Sequence, residues 1–338
     1  MSKQTFFKIL ALKLAALGAT AAAVHLWAWR NMAKIRQNPD PYTPEQLHQE
    51  PRGEEHIITA VDGAQIRARV AGEGPTVVLV HGYADTIAKW NLIWHALVAQ
   101  GYRVVAYDQR GHGRSTIGSY GMSIPHMATD LLAVLEYFEV REGIVVGHSL
   151  GGFVTLSFLL NQRAVARRYV KHVLLLSSLA GRGLENAPQN QLQLPLLQSG
   201  LLLKVGQLKP YGWAFARTWV GDNPAASIVE AFRQTILTHD HEATMPALQA
   251  TLDMDYYPRL PQIEIPCTVV YGERDQTTLP FHSQRMAAQI PQATLIELPG
   301  AGHLLPWERP RELVEIITAV EQEQGARSKE QGAMNKEQ

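Results

Sequence analysis

Cysteine is nearly absent from this chain: Cys267 stands alone among 338 residues. No intramolecular disulfide can form, so a chain of this length must hold together by burial of apolar surface. Cys267 itself sits in the apolar run Cys267 to Tyr271, where a thiol is expected to be buried and inert. Charge of one sign is also missing, since 31 Lys and Arg balance 31 Asp and Glu. A neutral chain has no excess of cations to neutralise a phosphate backbone, which excludes nucleic acid as the expected partner. With 46% apolar and 18% charged residues, general disorder is excluded and a single large α/β domain is expected. There is no internal repeat, and no spacing of His, Cys, Asp and Glu that calls for a metal or a cofactor.

Two stretches resemble ligand sites and are set aside. Arg110-Gly111-His112-Gly113-Arg114-Ser115 lacks both the P-loop lysine and the glycine spacing of a dinucleotide fingerprint, and is read as a structural loop. His239-Asp240-His241-Glu242 places its histidines two apart with no third ligand in sight, and is read as a solvated face.

The longest apolar run lies at the N-terminus. Ile9 to Trp29 is long enough to cross a bilayer as a helix, with Trp27 and Trp29 placed as interfacial anchors. Lys13 interrupts it, and the shorter stretch Leu14 to Val24 also fits a signal-peptide core with cleavage near Ala21 to Val24. Residues 1–29 are accordingly expected to anchor the protein in a membrane, or else to be cleaved on export. The polar, proline-rich stretch 30–53 is expected to be a tether.

Order begins at Glu54, where two alternating runs flank Asp62-Gly63, the signature of a hairpin turn. From Thr76 onward, continuous β-branched runs (TVVLV, RVVAY, GIVVG, HVLLL, CTVVY, TLIEL) alternate with helical periods. Strands buried on both faces and joined by helices imply an α/β fold with a mostly parallel central sheet and helices on both sides. Helices are expected over 90–100, 122–138, 152–160, 280–290 and 310–322. The rhythm lapses between Gly181 and Arg259, so a core of 54–181 and 260–320 is expected to carry an inserted cap or lid at 182–259. The tail 321–338 is polar and expected to be disordered.

The chemistry concentrates in three places. Gly147-His148-Ser149-Leu150-Gly151 follows a strand and opens a helix, the setting of a nucleophile elbow, and the glycines leave room for so sharp a turn. Ser149 is therefore the candidate nucleophile. The blander alternative, a helix-capping serine in a glycine-rich turn, fits the flanking strand and helix less well. Gly300-Ala301-Gly302-His303 follows the last strand and Gly272-Glu273-Arg274-Asp275 follows an earlier one, giving the order Ser, Asp, His. His303 is the candidate general base and Asp275 the acid that orients it. An oxyanion hole takes one backbone N–H from Leu150 and a second from the loop His81-Gly82-Tyr83, with Tyr83 as candidate. The His81 side chain is expected to shape that loop and take no part as a base. Gly82, His148, Trp213 and Trp219 are candidates for substrate contact.

From Glu54 to about Val320 the chain resembles the α/β-hydrolase superfamily, carrying HGYADT, DQRGHGRS, GHSLGG, GERD and GAGH in order. The resemblance is to bacterial lipase and esterase members, and membrane-anchored monoacylglycerol lipases are similar in having an apolar N-terminal segment. It implies the triad Ser149, Asp275 and His303, oxyanion donors Tyr83 and Leu150, and a helical cap over the pocket. The expected activity is cleavage of lipid-like or medium-chain carboxylic esters, with cap leucines lining an acyl pocket. Serine-dependent cleavage of amides, lactones or carbon–carbon bonds, acyl transfer, and a non-catalytic binding protein on the same fold are the alternatives.

Overall fold

The computed structural model describes residues 3–334, with the backbone alone for 3, 4, 6–17 and 326–334. The chain opens with helix α1 (Lys3–Ile35) and the short helix α2 (Pro44–His48). A hairpin follows, β1 (Glu54–Thr59) and β2 (Gln65–Ala71), paired with Ile58 opposite Ile66 and turning at Gly63 with φ 85°. Then come β3 (Thr76–Val80), α3 (Asn91–Ala99), β4 (Arg103–Tyr107), α4 (Ile124–Tyr137), β5 (Gly143–His148), α5 (Leu150–Asn161), α6 (Arg163–Tyr169) and β6 (Val170–Leu176). The insertion after β6 holds α7 (Pro188–Gln198), α8 (Leu201–Gly206), α9 (Lys209–Arg217), α10 (Ala226–Thr238) and α11 (His241–Asp253). The core resumes with β7 (Cys267–Gly272), α12 (Pro280–Gln289), β8 (Thr294–Leu298), α13 (Leu305–Glu308) and α14 (Pro310–Met334).

One sheet of order β1-β2-β4-β3-β5-β6-β7-β8 runs through the molecule. The pairs β1–β2 and β2–β4 are antiparallel, and the others are parallel. Because successive strand side chains alternate faces, Val77, Leu79 and Val104 meet Ile93 and Leu97 of α3 and Ile317 of α14 on one side. Val78, Val105 and Val145 meet Leu131 of α4, Phe153 of α5 and Met286 of α12 on the other. Parallel strands end at one edge, so the loops after β3, β5, β7 and β8 converge there beneath the cap.

The stretch expected to be a tether is instead packed. Met32, Ile35 and Leu47 are buried in one cluster with cap residues Trp213, Val229 and Phe232. The Thr43 hydroxyl accepts from the Gln46 N–H while the Gln46 side chain accepts from the Thr43 N–H, a reciprocal cap that starts α2. A few apolar side chains within a polar sequence suffice to fasten it. The expected anchor forms the body of α1, with Val24, Leu26, Trp27 and Trp29 exposed and Ala28 buried against the cap. Among the described residues no helix is long and apolar enough to cross a membrane. The side chains of 6–17 lie outside the described residues. The tail expected to be disordered carries α14 on to Met334, and residues 335–338 lie outside the described residues.

The loop after β4 is a structural knot, as its sequence suggested. Arg110 is buried and donates from Nε to Asp130 Oδ2 at 2.6 Å and from Nη1 to Asp62 Oδ2 at 2.9 Å. Asp62, read from the sequence as a hairpin-turn residue, thus also ties the hairpin to α4. Replacing Arg110 by Met leaves two buried carboxylates without their cation, and is expected to lower stability by about 3–5 kcal/mol in urea unfolding. A loss under about 1 kcal/mol would mean that the network contributes little.

Candidate active site

Ser149 sits between β5 and α5 with φ 53° and ψ −118°, a backbone conformation that costs a non-glycine residue about 1–3 kcal/mol. Its surroundings hold it there. The Ser149 N–H donates to the Leu176 carbonyl at 2.9 Å, and the Ser178 hydroxyl donates to the Ser149 carbonyl at 2.9 Å. The neighbouring glycines are required by contact. A Cβ at Gly151 would lie 2.1 Å from the Val80 carbonyl oxygen, one at Gly147 2.7 Å from the Gly152 Cα, and one at Gly152 2.4 Å from the Ser178 hydroxyl. Ser149 is half-buried and lines a cavity of about 1020 Å³, counted with its open mouth, together with Gly82, Tyr83, His148, Leu150 and His303.

His303 and Asp275, on loops far apart in sequence, meet in the interior. His303 Nδ1 lies 2.9 Å from Asp275 Oδ2. Asp275 is fully buried and accepts besides from the Thr277 N–H at 2.8 Å, the Thr278 N–H at 2.9 Å and the Thr278 hydroxyl at 2.8 Å. Burial raises its carboxyl, but the His303 charge and these hydrogen bonds outweigh it and hold Asp275 below the ordinary carboxylate value. An ionised Asp275 makes Nδ1 of His303 the protonated nitrogen and leaves Nε2 as the basic one.

The backbone approaches Ser149 from two sides. Leu150 is the first residue of α5, so its N–H has no intrahelical acceptor. Across from it, the loop after β3 comes so close that a Cβ on Gly82 would lie 3.3 Å from Ser149 Cβ. His81 shapes this loop, accepting the Gln109 N–H at Nε2 (3.0 Å) and donating from Nδ1 to the Gly82 carbonyl (2.8 Å). The Tyr83 side chain turns to the cap, its hydroxyl donating to His241 Nδ1 at 2.8 Å, and burial raises it to about 12.

The predicted contact residues divide. Gly82, His148 and Trp219 line the cavity. The His148 ring also donates from Nε2 to the His303 carbonyl at 2.8 Å, and burial, with the His303 and Lys89 charges, holds it far below its ordinary value and neutral. Trp213 does not reach the cavity. It is buried between α9 and α10, where its indole N–H donates to Glu230, whereas Trp219 stands beyond the end of α9, on the segment that meets the His303 loop. Of the cap leucines, Leu194, Leu197 and Leu202 line the cavity, whereas Leu192 and Leu201 are exposed.

Three contributors escaped sequence reading. Thr277 and Thr278 hold Asp275, and an Asp with threonines two and three positions on is a weak sign of such a turn. Buried Lys89, with Nζ 3.4 Å from Asp85 Oδ1 and 3.6 Å above the Trp307 ring, offsets a carboxylate that lines the cavity. No local pattern announces that pair.

Within the stretch His239 to Glu242, Asp240 and Glu242 are exposed as expected of a solvated face, but the two histidines are not. His239 precedes α11 and His241 opens it, so helix-face spacing does not apply, and both rings turn inward to Tyr83. Their own hydrogen bonds go to the Thr244 hydroxyl and the Ile236 carbonyl. His239 also stacks on His112, with ring centroids 4.8 Å apart.

The family model described as "Alpha/beta hydrolase family" matches residues 77–316, and the chain belongs to that family. It is similar to a bifunctional esterase/perhydrolase of Acinetobacter calcoaceticus, 28% identical over 267 residues covering 74% of this chain and 93% of the relative. A non-heme haloperoxidase of Rhodococcus erythropolis is 27% identical over 258 residues, covering 73% of this chain and 92% of the relative. In three dimensions the fold is that of an esterase from Exiguobacterium antarcticum, with TM-score 0.67, 20% identity, and coverage of 79% of this chain and 99% of that one. The chain is a hydrolase on these grounds.

The histidine cluster between core and cap carries a pH expectation. Burial, aided by the His241 and His81 charges and opposed by Asp240, lowers His239 to about 3 from 6.5, and burial with His81 and His239 lowers His112 well below that starting value. The unfolded chain therefore takes up protons first, so this stability is complete above about pH 6.5 and is lost as pH falls toward 3. The melting temperature is expected to drop between about pH 7 and about pH 5, and to drop less in His239→Asn. Identical pH slopes in the two proteins would remove His239 from the explanation.

Proposed function

We propose that this hydrolase cleaves carboxylic esters through an acyl-enzyme on Ser149, with a preference for medium-length acyl chains. The single observation carrying the reading is the buried His303–Asp275 pair, 2.9 Å apart, on the wall of the same cavity as Ser149. Ser149 Oγ attacks the acyl carbonyl while Nε2 of His303 takes its proton, and Asp275 stabilises the imidazolium. The developing oxyanion is met by the backbone N–H groups of Tyr83 and Leu150, with the N-terminal end of α5 adding partial positive charge. The alcohol leaves with the proton from His303. Water, deprotonated by the same nitrogen, then attacks the acyl carbon and releases the acid, restoring Ser149.

The acyl preference is supported by the lining of the cavity, where Leu194, Leu197, Leu202, Phe215, Phe232 and Leu248 surround the space beyond the serine. Each further methylene of a chain buried there gains about 0.8 kcal/mol. The expected outcome is a higher kcat/KM on p-nitrophenyl decanoate than on the acetate, with Ser149→Ala abolishing both activities and fluorophosphonate labelling. Equal rates on the two esters would sink the acyl preference, and undiminished turnover by Ser149→Ala would sink the mechanism. Amide and lactone substrates in the same panel distinguish the other serine-dependent chemistries.

We also propose that α1 attaches the enzyme to a lipid surface. Its exposed Val24, Leu26, Trp27 and Trp29 adjoin a cap whose outer side exposes Leu192, Leu201, Val205 and Leu208. In a chain neutral overall, neither α1 nor helices α7 to α9 contain an Asp or Glu, while Arg30, Lys34, Lys204 and Lys209 are exposed. The full chain is expected to sediment with phosphatidylglycerol vesicles more than with phosphatidylcholine ones. A variant carrying Val24→Ser, Leu26→Ser, Trp27→Ser and Trp29→Ser together should stay in the supernatant with its ester hydrolysis intact. Failure of the full chain to sediment with either vesicle would overturn the proposal.

A further inference from the structure

Glu308, at the end of α13, is used by no step of the mechanism, yet its carboxylate is built into the loop that carries the base. Oε2 accepts the Gly302 N–H at 2.9 Å and the Gly221 N–H at 2.7 Å, and Oε1 accepts the Leu304 N–H at 2.9 Å. Gly302 and Leu304 are the two neighbours of His303. Gly221 belongs to the segment by which the chain leaves α9, whose Trp219 and Phe215 line the cavity.

The same two segments also meet directly. The His303 N–H donates to the Trp219 carbonyl at 2.8 Å, and the Asp222 N–H donates to the Gly300 carbonyl at 2.7 Å. The fit leaves no slack, since a Cβ on Gly302 would lie 2.4 Å from the Gly221 nitrogen and one on Gly221 2.0 Å from the Gly300 oxygen. The Trp219 ring stands edge-on to the His303 ring with centroids 5.1 Å apart. Every backbone group around His303 is therefore held: its carbonyl by His148, its N–H by Trp219, and the flanking N–H groups by Glu308.

We propose that Glu308 is a positioning residue that staples the histidine loop to the end of α9, so that the His303 imidazole keeps its place only while this part of the cap is seated. A half-buried carboxylate whose two oxygens are committed to three backbone N–H groups is a costly device if its purpose is only stability, because an apolar side chain of like volume commonly serves as well or better. What an apolar residue cannot do is fix three amides at once in register. An acyl chain that presses on Phe215 and Trp219 then acts on the base through the same staple. Burial raises the Glu308 carboxyl, the three N–H groups pull it back down and the Asp275 charge raises it again, leaving it above the ordinary value, with Lys89 and Arg217 the cations that feel its charge. Acidification thus removes the anionic acceptor earlier than for an exposed glutamate.

The proposal rests on the serine-hydrolase reading, and the test separates the two. Glu308→Gln keeps the shape but sets an NH2 against one or more of the N–H donors. Its kcat on p-nitrophenyl decanoate is expected to fall about tenfold to a hundredfold, with KM within about twofold and the rate of fluorophosphonate labelling of Ser149 falling in parallel. The acid limb of its kcat–pH profile is expected to lose the component that Glu308 protonation contributes in the native chain. If Glu308→Gln does not fold by circular dichroism, Glu308→Asp, which keeps the charge but draws it back by one methylene, takes its place in the same assays. A folded variant with a lowered melting temperature and unchanged kcat and pH profile would overturn the proposal and make Glu308 an ordinary structural residue. A native chain that neither hydrolyses the ester nor reacts with the probe would instead sink the serine-hydrolase reading and take the staple with it.

Discussion

A serine held at φ 53° at the carboxyl end of a central parallel strand is the constraint from which the rest of the site follows. Such a backbone lies uphill for any L-residue, and it persists because strand and helix leave no other path. The Leu176 carbonyl and the Ser178 hydroxyl fix the turn from the neighbouring strand, while three glycines let α5 lie against β3 and β5 at distances that a single methyl group would forbid. The strain has a chemical return. It sets Ser149 on the wall of the cavity together with Leu150, the first residue of α5, the arrangement that the proposed acyl-enzyme chemistry needs.

Around that turn the charges are arranged so that few are left uncompensated. Asp275 stays ionised in the interior because one imidazole, two N–H groups and a hydroxyl meet its two oxygens. Asp85, which lines the same cavity as Ser149, is offset by buried Lys89. Four further histidines near the site, His81, His112, His148 and His239, are shifted downward by burial, so they act as neutral hydrogen-bonding and packing groups near neutral pH.

The cap does more than cover the pocket. Its cluster takes in Met32, Ile35 and Leu47 from the N-terminal arm and Leu304 and Trp307 from the histidine loop. Arm, cap and base-bearing loop form one packed body standing on the sheet edge. A chain that reads as tether, insertion and loop is in this respect a second layer.

Much of the architecture was legible because it rests on short-range signals. Continuous Val and Leu runs can be buried on both faces only within a parallel sheet, and Gly147, Ser149 and Gly151 between a strand and a helix admit few other conformations. Hence strand positions, the elbow, and the candidate residues Asp275 and His303 were readable before any coordinates. Trp213 and Trp219 looked alike in sequence, and only the packing of α9 and of the segment that follows it sends one to Glu230 and the other to the cavity. The packing of 30–53, the inward turn of His239 and His241, the Asp85–Lys89 pair and the Glu308 clamp were equally out of reach. By itself the sequence determined which residues could do chemistry and on which elements they stand, since those follow from periodicity and turn chemistry along the chain. Only the tertiary structure decided which of them share a dielectric environment, because burial and charge compensation depend on segments that are distant in sequence and adjacent in space.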